Sequence, residues 1–463
     1  MATTRLHLLG TLCCAAVSLA TQTQAAGART TVTRTPVAAC PSRNERVPAD
    51  ANTTQPAQPF YIDTAHLDLR TTPPTRDPLD PSYPRATELA DRSLPSPSAE
   101  GNFIIGPTHP AAPETIARRG NAGRGNAGRV ISFTLSSHGS TTYVPGLLRR
   151  DAGGCLNASV YAAATAPGDR SDLLVATSQP GTWTRHVDVY VPARYVPGTA
   201  APLLVVGDGG AGGFMNDRQL FTVLDNLIAA HRLPPLVAVS IGAGGQDAQG
   251  SERGREYDTV SGAYADWVEH EVLPLAEQQA HVRLTHDPDG RATMGISSSG
   301  AAAFSMAWFH PELYHRVLAY SPTMVNQQWP HDPALPGGAW EFHDRWAGPA
   351  QPRLAVSGTA VSPSELPDGA PLIPNSPRKP IRFWFETGDR DLFYPIAPLA
   401  DGMHDWTLAN ERMAAVLAAK GYHYQFVFAR SAVHVDKPTV AQTLPEALEW
   451  VWRGYRAPAR SPA

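Results

Sequence analysis

The sequence predicts an α/β protein whose mainly parallel sheet is covered by helices on both faces. Short apolar runs typical of fully buried strands, such as 203–206 and 236–240, alternate with longer segments whose apolar residues fall on one helical face. This alternation favours parallel pairing of strands that are joined by helical crossovers. Because such a sheet carries its functional loops at the carboxyl ends of its strands, candidate site residues are sought directly after each strand.

The predicted elements follow one another in strand–helix order. The strands share an apolar or alternating pattern, and they are 130–135, 187–191, 203–206, 236–240, 292–294, 317–320, 383–385 and 426–428. Two helices are predicted by a single apolar face, made of Phe221, Leu224, Leu227 and Ile228 in the first and of Tyr264, Trp267, Val268, Val272, Leu273 and Leu275 in the second.

Composition excludes several classes of function. The chain has 463 residues, 42% of them hydrophobic, which is enough for a sizeable core. Its formal charge of −4 comes from 38 basic and 42 acidic residues, and this balance argues against a nucleic-acid or membrane partner. We find no His, Cys and carboxylate cluster at metal-ligand spacing. The sequence therefore predicts a protein without a metal or cofactor. Its expected partner is a small-molecule substrate.

The first residues resemble an export signal. Arg5 supplies a positive start, 8–20 form an apolar stretch too short to span a bilayer, and Thr23 and Ala25 are small residues at the positions that a signal peptidase needs. We therefore expect 1–26 to be a signal peptide and the mature protein to be secreted or periplasmic.

The rest of the chain divides into three predicted parts. Residues 27–98 are rich in Pro, Thr, Ala and Ser and are expected to form a poorly ordered linker. Residues 99–180 are expected to form a small β-containing extension, and 181–456 the catalytic domain. In an oxidising compartment Cys40 and Cys155 are either one disulfide or two separate thiols.

A serine turn follows the predicted strand 292–294. Ser297 lies between this strand and a predicted helix, with Gly295 two positions before it. This is the pattern of a nucleophile elbow, in which small neighbours let strand and helix approach and the turn lifts the hydroxyl above the sheet edge. Ser299 stands where the second glycine of the pattern belongs. Either its side chain strains the turn and lowers the turnover rate, or it has a hydrogen-bond partner and stabilises the turn.

Two further strands end in the groups that a nucleophilic serine requires. One is followed by three carboxylates, Glu386, Asp389 and Asp391, and the last is followed by His434. They come after Ser297 in the order serine, acid, histidine that this architecture uses. A serine needs a base to take its proton, and the base needs an acid to orient it.

A glycine-rich loop at 207–213 follows the strand 203–206. Glycines there would let bare N–H groups face a substrate carbonyl, so Gly210 and Ser298 are the predicted oxyanion donors. A phosphate-binding loop is the alternative, but the loop has neither a Lys-Ser/Thr ending nor the dinucleotide-binding glycine pattern.

These motifs together make residues 100–455 resemble the putative-esterase family of α/β hydrolases, the group of enterochelin esterase-like and esterase D-like proteins. The resemblance is carried by 189–192, 208–209, 252–261, 292–300, 388–391, 434 and 444–450. It implies an α/β-hydrolase fold with Ser297 as nucleophile, His434 as base and Asp391, rather than Asp389, as acid. The segment 347–370 looks like an insertion relative to the family.

The resemblance implies ester hydrolysis without naming the ester. The leading hypothesis is an exported serine carboxylic ester hydrolase that forms an acyl-enzyme. A siderophore trilactone esterase is the first alternative, in which Arg253 and Arg255 would bind the ferric ligand unless they pair with neighbouring carboxylates. The second alternative is a non-catalytic ligand- or carbohydrate-binding relative. Trp329 either lines the substrate pocket or packs in the core.

Overall fold

The computed structural model describes residues 75–117, 127–148, 158–164, 170–176, 179–245, 251–324, 346–347, 353–354, 360–361, 371–392 and 405–456. The predicted signal peptide, both cysteines and Trp329 lie outside these residues, and so does 27–74 of the predicted linker.

The strands are, in chain order, β1 (Ala86–Glu88), β2 (Gly101–Ile105), β3 (Arg129–Ser136), β4 (Gly146–Leu148), β5 (Ala158–Ala164), β6 (Arg170–Ala176), β7 (Gln179–Gly181), β8 (Thr184–Val191), β9 (Ala200–Ala201), β10 (Leu203–Gly207), β11 (Val237–Ile241), β12 (Arg283–Leu284), β13 (Arg291–Ile296), β14 (Arg316–Tyr320), β15 (Arg353–Leu354), β16 (Ala360–Val361), β17 (Arg382–Arg390) and β18 (His423–Val433). The helices are α1 (Asp217–Ala229), α2 (Glu252–Tyr257), α3 (Ala263–Trp267), α4 (Leu273–Ala280), α5 (Ser298–Phe309), α6 (Leu372–Asn375), α7 (Trp406–Ala419) and α8 (Lys437–Trp452).

One ten-stranded sheet organises the fold, in the order β1-β2-β18-β17-β14-β13-β10-β11-β8-β3. Strand β8 runs antiparallel to both of its neighbours, and the other pairings are parallel. From β3 to β18 this is the strand order of an α/β hydrolase, so the fold class predicted from the sequence is confirmed. Seven of the eight predicted strands lie within β3, β8, β10, β13, β14, β17 and β18, and the predicted strand 236–240 is shifted by one residue to β11.

Helices bury apolar side chains on both faces of the sheet. On one face α1 and α8 pack against β10, β13 and β17, with Leu224 and Leu448 fully buried. On the other face α3, α4, α5 and α7 pack around Trp267, Phe304 and Trp406. Because the central strands are covered on both faces, they are apolar throughout rather than alternating.

The second predicted helix is interrupted in the structure. A π-helical turn at Val268–Val272 joins α3 to α4, and Pro274 stands in the first turn of α4. Proline has no N–H to donate to the preceding turn, which favours its position at this restart, where the helical hydrogen-bond pattern is already interrupted. Leu275 is only half-buried, whereas the other apolar residues predicted for this helix are buried.

Strands from the N-terminal region extend the sheet at both edges. β2 pairs with β18, and β1 pairs with β2, so residues that were assigned to the predicted linker and extension contribute to the main sheet. β3 pairs with β8 at the opposite edge. The ten-stranded sheet therefore takes strands from both sides of the predicted boundary at 180/181. In the described residues we find no helix with the length and hydropathy that crossing a membrane requires.

Candidate active site

Ser297 occupies a sharp turn between β13 and α5. Its backbone has φ 54° and ψ −124°, a left-handed conformation that costs free energy and persists only when the surroundings enforce it. Gly295 permits the turn, because a Cβ at that position would lie 2.1 Å from the carbonyl oxygen of Ser299. The N–H of Ser297 donates to Tyr320 O at 2.9 Å, which fixes the turn to the end of β14. This is the strained strand-to-helix turn that the sequence predicts.

The structure brings the predicted serine, histidine and acid into one hydrogen-bonded chain. The Nε2 atom of His434 lies 2.9 Å from the Oγ of Ser297, and its Nδ1 lies 2.6 Å from Oδ1 of Asp391. Trp406, fully buried, meets the imidazole edge-on with the ring centroids 5.4 Å apart. The base therefore has an acceptor on one nitrogen and a hydroxyl on the other, which is the arrangement that proton transfer from a serine needs.

Asp391 is 4% exposed and receives several hydrogen bonds. Thr387 Oγ1 donates to its Oδ2 at 3.1 Å, and the N–H of Leu392 donates to its Oδ1 at 2.7 Å. Burial by itself would raise the pKa of this carboxyl. The hydrogen bond and charge of His434, together with hydrogen bonds from Ser321 and Leu392, hold the pKa below its ordinary value. Asp391 is thus kept as a carboxylate that can orient and stabilise a protonated imidazole.

Ser321 is a site residue that the sequence reasoning missed. It is fully buried, directly follows β14 and has a positive φ of 43°. Besides its hydrogen bond to Asp391, its Oγ accepts from the N–H of Val435 at 3.0 Å, the residue after His434. Its position after a strand that ends at the same sheet edge was the signal that could have identified it.

The Ser299 side chain points into the elbow and is 1% exposed. Its hydroxyl accepts from the N–H of Ile296 at 2.8 Å and donates to the carbonyl of the same residue at 2.8 Å. Of the two predicted possibilities for this position, the geometry favours a hydrogen-bonded serine that stabilises the turn.

The predicted oxyanion donor Gly210 is engaged elsewhere. Its N–H donates to Oδ2 of Asp217 at 2.8 Å, at the first residue of α1, so the structure corrects this assignment. Ser240 Oγ holds the other oxygen of Asp217 at 2.8 Å, and a Cβ on Gly209 would lie 1.6 Å from that hydroxyl. Burial raises the pKa of Asp217 to about 6, although both hydrogen bonds oppose the rise. The glycines of this loop thus allow close packing around a buried carboxyl.

Ser298, the second predicted donor, is the first residue of α5 and is fully buried. A backbone N–H at the first position of a helix has no carbonyl one turn earlier within the helix. The position next to the nucleophile is therefore consistent with the predicted role.

Of the two possibilities predicted for Arg253, ligand binding or pairing with a carboxylate, the structure shows the pairing. It is 6% exposed, and its guanidinium forms a bidentate pair with the fully buried Asp208, at 2.8 and 2.7 Å. A third nitrogen donates to Ser298 Oγ at 3.2 Å. This arginine ties the loop after β10 to the start of α5, because its planar fork matches a carboxylate on one side and leaves a donor on the other. Arg255 instead donates to Pro145 O at 3.1 Å.

The other two candidate carboxylates, Glu386 and Asp389, lie within β17 and are not part of the hydrogen-bonded chain. Glu386 lies within β17, is fully buried, and has no hydrogen-bond partner for its carboxyl oxygens among the described residues. Burial, with the nearby charges of Asp391 and Asp436, raises its pKa well above the ordinary value. Asp389 presents its backbone carbonyl to Arg76 at 3.0 Å. Within the described part of the chain, no group of three His, Cys, Asp or Glu side chains has the geometry of a metal site.

Several solved structures are similar to this chain. A ferulic acid esterase matches at 16% identity with a TM-score of 0.42, covering 71% of this chain and 98% of its own. The feruloyl esterase module of Clostridium thermocellum, solved as an S954A mutant with sinapinate, matches at 16% identity with a TM-score of 0.40, covering 80% and 100%. Enterochelin esterase from Shigella flexneri matches at 18% identity with a TM-score of 0.38, covering 64% and 59%. At these low TM-scores the fold assignment rests on the strand order.

A family comparison covers the centre of the chain. Residues 178–363 match the family described as "Putative esterase", a segment that includes Ser297 and ends before Asp391 and His434. No curated protein matches the sequence. The family match supports ester hydrolysis as the activity. The match to this family over residues 178–363 confirms the resemblance seen in the sequence.

Proposed function

We propose that this protein is a serine carboxylic ester hydrolase in which Ser297, His434 and Asp391 form the catalytic triad. The observation that carries the proposal is the continuous hydrogen-bonded chain from Ser297 Oγ through the imidazole to the Asp391 carboxylate. The strained turn at Ser297 adds support, because a nucleophile elbow holds its hydroxyl in this way.

In the proposed reaction Ser297 Oγ attacks the ester carbonyl while His434 Nε2 takes the hydroxyl proton. The new oxyanion accepts a hydrogen bond from the N–H of Ser298. Collapse of the tetrahedral intermediate breaks the ester C–O bond, and His434 returns the proton to the departing alcohol, which leaves an acyl-enzyme. A water molecule, deprotonated by His434, then attacks the acyl carbonyl and releases the acid and the free serine. Asp391 holds the imidazole tautomer throughout.

The two alternative functions have less support. A siderophore trilactone esterase would need basic residues at the mouth of the site, but Arg253 is buried and paired with Asp208. A non-catalytic binding relative would not need serine, imidazole and carboxylate aligned within hydrogen-bond distance. Both alternatives therefore rank below ester hydrolysis.

Covalent labelling tests the nucleophile. A fluorophosphonate should label the parent protein, and Ser297→Ala should abolish the labelling, because the probe reacts only with an activated hydroxyl. Ser298→Ala and Ser299→Ala are matched controls in the same turn and should still be labelled. Labelled Ser297→Ala protein would refute the assignment. A panel of p-nitrophenyl esters, hydrolysed by the parent and not by Ser297→Ala, would then distinguish an enzyme from a binding protein.

Export is part of the same proposal. It is supported by the sequence of 1–26, with a positive start, a short apolar stretch and small residues at the cleavage positions. N-terminal sequencing of the protein from culture fluid and periplasm should find a chain that starts at about residue 27. A protein recovered with its full N-terminus from the cytoplasm alone would contradict it.

A further inference from the structure

A cleft of about 430 Å³ lies at the amino ends of the strands, whereas Ser297 lies at their carboxyl ends. Arg316 and Arg382 are the first residues of the paired strands β14 and β17, and they lie side by side in the register of the sheet. Arg453, which follows α8, completes the floor of the cleft. Three guanidinium groups from three separate elements thus meet in one concave surface.

Positive charge exceeds negative charge in this cleft. The cationic residues that line it are Arg316, Arg378, Lys379, Arg382 and Arg453, and the carboxylates are Glu100 and Asp289. Both carboxylates are shared. Glu100 is 2.9 Å from the imidazole of His423 and also contacts Arg453, and Asp289 is 2.8 Å from the imidazole of His315. With both histidines neutral, an excess of three positive charges remains.

Backbone carbonyls are the hydrogen-bond partners of Arg316 and Arg382. Arg316 donates to the backbone carbonyls of Asp289 at 2.6 Å and of Val451, and within the described residues it forms no ion pair with a carboxylate. Arg382 donates to the carbonyl of Arg453 at 2.8 Å and lies 3.7 Å from Glu100, a carboxylate that it shares with Arg453 and His423, while its buried Nε has no hydrogen-bond partner among the described residues. Burial, and then the charges of Arg316 and Arg453, lower the pKa of Arg382 to about 10. The positive charge here is crowded and incompletely compensated.

Helix capping accounts for only part of this arrangement. The carbonyls at the end of α8 are natural partners for Arg316 and Arg382, because the C-terminus of a helix attracts cations. Capping does not require Arg378 and Lys379, which line the same cleft. Arg378 donates to Gly421 O at 2.6 Å, and the Lys379 ammonium lies 5.1 Å from the centre of the Trp308 ring. Each guanidinium has five N–H donors, so these few contacts leave donors for a ligand.

We propose that this cleft binds a small phosphate-type anion that carries at least two negative charges. The planar forks of the arginines match the oxygen spacing of a phosphoryl group and donate two hydrogen bonds to it. The excess of three positive charges favours a multivalent anion over a monocarboxylate. The volume of about 430 Å³ accommodates more than one phosphoryl group, so pyrophosphate should bind more tightly than inorganic phosphate.

Calorimetric titration of the full-length protein with pyrophosphate and with inorganic phosphate tests the proposal. The parent should bind pyrophosphate at least about tenfold more tightly than phosphate, because a second phosphoryl group engages further guanidinium donors. Arg382→Gln should weaken pyrophosphate binding by about tenfold or more. Arg430→Gln is the matched control: this arginine pairs with Glu88 at 2.8 Å outside the cleft, and its loss should leave binding unchanged.

Arg382→Gln removes a hydrogen bond to the residue that follows α8, so a second variant that leaves this contact intact keeps the test decisive. Arg378→Ala combined with Lys379→Ala removes two cations that hold no carbonyl of α8, and it should weaken pyrophosphate binding by about tenfold. Hydrolysis of p-nitrophenyl esters reports that each variant is folded, since Ser297 lies at the carboxyl ends of the strands. The proposal is overturned if the parent binds neither anion at about 10 mM, or if both folded variants bind pyrophosphate as the parent does, which would indicate an adventitious ion only.

Discussion

The hydroxyl of Ser299 hydrogen-bonds both backbone groups of Ile296, accepting from its N–H and donating to its carbonyl, each at 2.8 Å. Ile296 is the last residue of β13 and the one before the proposed nucleophile. The side chain that replaces a glycine of the elbow pattern therefore cross-links the two arms of the turn. Since the oxyanion donor proposed at Ser298 lies between them, its position depends on this contact.

Ser299→Ala is expected to lower the free energy of unfolding by about 1–3 kcal/mol, because two buried backbone groups lose their partner. Ser305→Ala on the same helix is the matched control, since its hydroxyl has no partner among the described residues; this change should be neutral or stabilising. Turnover of Ser299→Ala and Ser299→Gly should fall as the turn loosens. Faster turnover of Ser299→Gly, with an unchanged melting temperature, would support strain instead.

Asp391→Asn is expected to reduce turnover of a p-nitrophenyl ester by roughly four orders of magnitude, because an amide favours the wrong imidazole tautomer. Asp389→Asn is the matched control in the same loop. Its Oδ1 has no hydrogen-bond partner among the described residues, and His434 is held by Asp391 instead, so turnover should stay within about tenfold of the parent. Equal losses in both variants, measured as kcat, would move the acid role away from Asp391.

Ser321→Ala is expected to lower kcat by about tenfold with little change in KM, because it removes one hydrogen bond to Asp391 and one from Val435. Ser321 acts on the reaction by positioning the acid and the histidine loop. Ser321→Gly also lacks the hydroxyl but relieves the positive φ, so it should lose kcat as Ser321→Ala does even though its backbone is unstrained. A loss that appears only in KM, or an unchanged kcat in either variant, would argue against a positioning role.

Glu386→Gln should stabilise the protein, and the gain should grow with pH. Burial raises the pKa of Glu386 in the folded state, so the folded protein binds this proton more tightly than the unfolded chain does. The contribution of Glu386 to the free energy of unfolding is therefore fully present below its pKa in the unfolded chain. It falls as pH rises toward its pKa in the folded protein, by at most about 1.4 kcal/mol per pH unit. Glutamine carries no proton to lose and avoids this fall.

Melting temperatures at about pH 5 and about pH 8 measure the difference. The difference in melting temperature between Glu386→Gln and the parent should be larger at the higher pH. Glu312→Gln is the control, because Glu312 is exposed and its pKa is lowered: burial, the largest single effect, would raise it, but the hydrogen bonds from its own backbone N–H and from His310, with nearby positive charge, together outweigh burial. A difference that shrinks as pH rises would show that Glu386 ionises without cost.

The sequence by itself determined the order of strands and helices and the loops in which chemistry would be found. Those features are local: a buried strand is an apolar run, a crossover helix has one apolar face, and the carboxyl ends of parallel strands share an edge. For this reason Ser297, the three carboxylates at 386–391 and His434 were predicted to meet, although they are far apart in the chain, and the choice of Asp391 among the carboxylates came from the family resemblance. The turn at Ser297 was equally predictable, because small residues at fixed positions around a serine are a local pattern.

Only the tertiary structure decided which polar groups pair with one another. Arg253 and Asp208 are 45 positions apart, and nothing in the local sequence indicates that the arginine is buried against this carboxylate and not open to a ligand. The Gly210 N–H was assigned to substrate because glycine leaves the backbone accessible, yet Asp217 takes it. Such pairings depend on how loops from different strands meet, and buried polar groups take whichever partner that packing brings within hydrogen-bond distance.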